Sequence, residues 1–95
     1  MSIVVIADWL AAPGSEQRVA GLLPTLTDAA LAQPGVLAFR AVRSQRDHAA
    51  FVVIAEYEDR NAHAAHREAD HYRALVLDGI APLLIDRQSE EYALL

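Results

Sequence analysis

The chain has 95 residues, 54% of them hydrophobic and 22% charged, with a net charge of −5. This describes one globular domain, residues 1–95, and excludes a disordered tail. There is no cysteine, and all eight basic residues are arginines, which excludes disulfides, thiolate metal sites, a cysteine nucleophile and lysine Schiff-base chemistry.

No basic stripe marks a nucleic-acid partner. No apolar run approaches the length that spans a bilayer, so no membrane association is expected. The start, MSIVVIADW, has no basic flank and only a short apolar core, unlike a secretory signal. A cytoplasmic protein is the expectation.

Taken in chain order, Ser2 to Trp9 reads as a strand with a continuous β-branched centre. Ala11 to Gly14 is a turn. A helix follows from about Ser15 to about Gln33, with Val19, Leu22, Leu23, Leu26 and Ala30 on one face and Pro24 expected to kink it. Val36 to Ser44 and Ala50 to Glu58 are the next strands, joined by a short hairpin connection, Gln45 to His48. Asp59 is placed to cap the following helix, and Asp70 to cap a further turn. Tyr72, Leu75, Val76 and Ile80 make that helical region amphipathic before Pro82. Asp86 to Leu94 is a weaker last strand. The order β-α-β-β-α-β predicts an α+β, ferredoxin-like fold with an antiparallel four-stranded sheet.

The strands predict more. Ile3, Val5, Ala7 and Trp9 alternate with Val4, Ile6 and Asp8; Phe51, Val53, Ala55 and Tyr57 alternate with Val52, Ile54, Glu56 and Glu58. Both faces are apolar at their centres, yet two helices cover only one. The other face calls for a second copy, so a homodimer is expected. Val36, Ala38, Arg40 and Val42 would share that outer face, where Asp8 and Glu56 are candidate partners for an Arg40 ion pair across the interface.

Chemistry concentrates between Phe51 and Leu75. His66 is expected on the inner side of its helix, in register with Ala62. There it serves either as a proton acceptor near neutral pH or as a packing histidine. His71 is placed to orient His66 or to bind an anionic group. His63, three residues before His66, shares its face. Tyr72 is a candidate donor. Trp9, Tyr57 and Phe51 are read as an aromatic wall for a planar substrate, with Trp9 and Tyr57 ending neighbouring strands on one face; core filling is the competing reading. No closed metal-ligand spacing is present, so no metal is expected.

The segments IVVIADWLAAPG, AQPGVLAFRAVRSQRD and FVVIAEYEDRNAHAAHREADHYRAL resemble the antibiotic biosynthesis monooxygenase family, whose ABM domains belong to the dimeric α+β barrel superfamily. The resemblance spans about the whole chain, and the pattern His66, His71, Tyr72 is among its shared features. It implies a cofactor-independent monooxygenase that takes a small aromatic or enolisable, polyketide- or quinol-like substrate and dioxygen. It also leaves room for an isomerase of a phosphorylated compound or a dimeric binding protein without activity. The positions matching the haem-degrading members are Ala7, His66 and Val76, none of which keeps the residue type, so haem degradation is not expected. Those matching the branch that oxidises polyketide phenols are Tyr57, His63 and Leu77, where only an aromatic survives. The isomerase branch shares the histidine pattern, but this chain has no lysine to hold a phosphate.

Overall fold

The computed structural model describes residues 1–95. Strand β1 (Ile3–Ala11) is followed by helix α1 (Glu16–Leu31), the hairpin strands β2 (Val36–Arg43) and β3 (Ala50–Tyr57), helix α2 (Arg60–Glu68), the short helix α3 (Asp70–Tyr72) and strand β4 (Leu84–Ala93). Between α3 and β4 the chain runs through a π-helical stretch, Arg73–Ile80, and one tight turn, Ala81–Leu83. The sheet order is β2-β3-β1-β4, antiparallel throughout. This is the ferredoxin-like arrangement. No helix is long and apolar enough to cross a membrane.

The two-residue alternation sorts β1 and β3 as their sequences require. Ile3, Ala7, Trp9, Phe51, Val53, Ala55 and Tyr57 are buried beneath the helices, where Val19, Leu23, Leu26, Ala30, Val76 and Ile80 meet them. Burying each large apolar side chain contributes roughly 1.5–3 kcal/mol before ordering costs are counted. The opposite face carries Val4, Ile6, Val52 and Ile54, all at least partly exposed. Helix α1 runs through Pro24 without a break in its bounds. Ser15 stands at its N-cap but makes no side-chain cap bond there.

Two local details differ from the sequence expectation. Val36 does not share the outer face with Ala38 and Arg40. A register shift at Leu37 pairs Val36 with Tyr57 and Ala38 with Glu56, which turns Val36 onto the core. Asp70 does not cap a helix with its side chain; Ala69 occupies that position in extended conformation (ψ 147°). Asp59 does cap α2, its Oδ1 accepting the Ala62 N–H at 2.8 Å.

Gly35 fixes the approach of the hairpin to α2. Its φ of +86° suits glycine, and a β-carbon there would lie 2.6 Å from the Cβ of Ala62.

Candidate active site

A cavity of about 100 Å³ lies between the sheet and the helices that cover it. Sheet residues Val5, Ala7, Trp9, Phe39, Val53, Ala55 and Tyr57 form its floor. Leu26 and Val76 close it from the helices. His63, His66, Arg67, Tyr72, Arg87 and Ser89 supply its polar edge.

His66 is the centre of this arrangement and is only 2% exposed. Its ring lies among Tyr57 (centroids 5.6 Å apart), Tyr72 (5.4 Å) and Phe39 (5.9 Å). Its Nδ1 is 3.4 Å from Nε2 of His71. Its Nε2 has no protein partner, yet no buried side-chain nitrogen or oxygen lacks one. Nε2 is therefore the atom that opens onto the cavity. Burial, with help from the His71 and His63 rings, pushes the His66 pKa down to about 4. The ring is neutral at pH 7.

Which nitrogen carries the proton decides what His66 does. If Nδ1–H donates to His71, Nε2 presents a lone pair and is a base. If His71 donates to Nδ1, Nε2–H is a donor. The break at Ala69 makes the pair possible. In one unbroken helix, residues five apart point about 140° away from each other. With the chain extended at Ala69, α3 turns His71 back toward His66.

The other polar groups face the same space. Burial holds the Tyr57 phenol well above its usual pKa, reinforced by Tyr72, so it stays protonated. The Tyr72 hydroxyl accepts Nη2–H of Arg87 at 2.9 Å, which leaves its own proton free to donate. His63 stacks on Tyr57 at 4.7 Å and donates Nδ1–H to Glu91 at 3.1 Å. Burial lowers its pKa, against the opposing pull of Glu91. His63, His66 and His71 do not converge as metal ligands.

His63, His66, Tyr57, Tyr72 and Trp9 thus share the cavity, with His71 behind His66. Phe51 does not belong to this wall. It lines a separate open groove between α1 and β2, under the guanidinium of Arg43, 5.5 Å from the ring centre. Trp9 and Tyr57 do end neighbouring strands on one buried face. The antiparallel register pairs Trp9 with Phe51 and Tyr57 with Ile3, so the two aromatics enter from opposite ends of the sheet. Sequence reasoning missed Phe39, Arg67, Arg87 and Ser89. Arg87, Ser89 and Glu91 alternate along β4 beside Trp9, Ala7 and Val5, and a polar strand flanking an apolar one was the available signal.

The sequence profile of the antibiotic biosynthesis monooxygenase family matches residues 2–76, most of the chain and nearly all of this cavity. The chain belongs to that family. Among solved structures, it superposes with a TM-score of 0.93 on a Nitrosomonas europaea protein provisionally named an antibiotic biosynthesis monooxygenase (23% identity; 99% of this chain and 90% of that one). PA3566 from Pseudomonas aeruginosa gives a TM-score of 0.91 (23% identity; 99% and 94%). A further structure named antibiotic biosynthesis monooxygenase gives 0.89 (26% identity; 98% and 98%). No curated protein matches the chain significantly.

Proposed function

We propose that this protein is a cofactor-independent monooxygenase acting on a small, planar, ionisable molecule, with His66 as the base. One observation carries the reading: the buried His66 ring has Nδ1 tied to His71 and Nε2 open to an aromatic cavity. The family match supports the reaction class.

In this reading Nε2 of His66 takes a proton from an enolisable C–H or a phenol. Tyr57 and Tyr72 donate hydrogen bonds to the oxygen that becomes negative. The anion gives electrons to dioxygen in one-electron steps and forms a carbon–peroxide bond. The peroxide takes the proton back from His66, its O–O bond breaks, and water leaves as the carbonyl forms. A CH₂ group and O₂ thus become C=O and H₂O. A proton on a ring of pKa about 4 costs about 4 kcal/mol to hold at pH 7. The adjacent substrate anion offsets that cost by attraction. The neutral resting ring is ready to accept.

Volume narrows the substrate. A cavity of about 150 Å³ holds benzene, and this one is about 100 Å³. A short enolisable chain fits whole, and a single ring fits with part of it in the mouth. A three-ring anthrone does not.

The assembly belongs to the same proposal. The outer sheet face, with Ile54 and Val42 38% and 48% exposed, is covered by a second copy.

The test is oxygen uptake with product analysis on single-ring hydroxyquinols and short enolisable ketones. His66→Ala is expected to lower turnover by ~10²–10⁴ with fold and assembly intact. Equal turnover in the variant makes His66 structural and overturns the reading.

A further inference from the structure

We infer that the cavity selects small organic acids, with the carboxylate held at the mouth by the guanidinium groups of Arg67 and Arg87. This inference rests on the cavity being the substrate site.

The charge distribution is the first observation. The chain has 13 acidic residues against eight arginines. The cavity lining nevertheless contains Arg67 and Arg87 and no carboxylate. Both arginines are exposed, which places their heads at the rim. Neither forms an ion pair. The nearest acid along β4 on the same side, Glu91, is already engaged by Arg60 at 3.3 Å and by His63 at 3.1 Å. The rim thus keeps two positive charges uncompensated in an otherwise acidic molecule.

Geometry is the second. Arg67 comes from the last turn of α2, Arg87 from β4. A cation suits a helix C-terminus, which accounts for the charge of Arg67 but not for a second arginine arriving from a different element. Arg87 is oriented by its bond to the Tyr72 hydroxyl, and its other N–H groups remain available. The charge of Arg67 reaches both Tyr57 and His63. Arg87 is thus bonded to one of the two phenols that face the reacting end, and the field of Arg67 acts on the other.

Chemistry names the ligand. A guanidinium fork matches a carboxylate with two parallel hydrogen bonds. The enclosed space takes only a short or narrow body, so the charged group must lie where the cavity opens. The selected molecule has an enolisable or phenolic end near His66 and an acid group at the rim. Unpaired cations at the opening also draw such anions in, with a rate that falls as salt rises.

The test uses the full chain, NMR of the His66 ring and two shape-matched probes, 2-oxobutanoate and its neutral amide. The acid is expected to bind at least about tenfold tighter than the amide, as one charge-assisted bidentate pair requires. Arg67→Met and Arg87→Met should each remove most of that preference, the acid losing far more affinity than the amide. Arg87→Lys should restore part of it, because charge returns without the fork. If acid and amide bind alike while shifting the His66 ring, or if the Met variants weaken both equally, the carboxylate clamp is refuted and the cavity remains a binding site. If neither probe shifts the His66 ring, the clamp and the substrate-site reading both fall. Inorganic phosphate competing as strongly as the acid would overturn selection for carboxylates.

Discussion

Replacing His66 by Phe keeps an aromatic ring in the cavity and removes a titrating group. Folding lowers the His66 pKa from 6.5 to about 4, so the native state binds its proton later than the unfolded chain does as pH falls. The sign follows from that order. Above pH 6.5 neither state is protonated and the histidine has no linked effect. Between 6.5 and 4 the unfolded chain takes up a proton that the native state refuses, and stability is lost. At pH 5 the loss is about 2 kcal/mol, and below pH 4 it levels near 3 kcal/mol, from 1.36 kcal/mol per unit. That is a large share of the 5–15 kcal/mol typical of a small domain. Phe at this position removes the linkage. Urea unfolding at fixed protein concentration, from pH 7.5 to 4.5, reads it directly. The wild-type midpoint should fall relative to His66→Phe by about 1 M between pH 7 and 5. A constant difference across that range, or a His66 ring signal titrating near 6.5, refutes the buried neutral histidine and the base built on it.

Gly35→Ala should destabilise by ~1–3 kcal/mol in urea melts, because it adds a Cβ 2.6 Å from that of Ala62 at a φ of +86°; an unchanged midpoint would mean the hairpin does not press on α2. Light scattering at micromolar concentration should give about twice the 10.4 kDa chain mass, and Ile54→Asp on the outer face should halve it with unchanged far-ultraviolet circular dichroism. A monomeric wild type disproves the paired sheets. Titration with ferric haem should give no sharp Soret shift that a single histidine substitution abolishes. Ala7 and Val76 line a space of about 100 Å³, far too small for the macrocycle.

Much of the fold is legible in the chain itself. Alternation along Ile3–Ala11 and Ala50–Tyr57 assigns each side chain to a face, because a strand repeats every two residues whatever surrounds it. Asp59 caps α2 by a bond spanning three residues, and such local geometry travels with the sequence. The order of elements then limits the topology to the one observed. His66 is recognisable as the inward histidine from its helical register alone. The partners of His66 are not. His71 reaches it only because Ala69 leaves the helix, and nothing local demands extension at an alanine. Arg87 enters the cavity because β4 pairs with β1 in a register that sets Arg87 beside Trp9, a contact across more than seventy residues. Phe51 and Tyr57 lie on the same face of one strand, yet one lines the open groove under α1 and the other the enclosed cavity. Alternation decides which face a residue takes, and only packing decides what covers it there. Secondary structure and facing are properties of a few consecutive residues, so the sequence determines them. An enclosed site is a juxtaposition of distant segments, and its charge, volume and proton paths exist only once those segments meet.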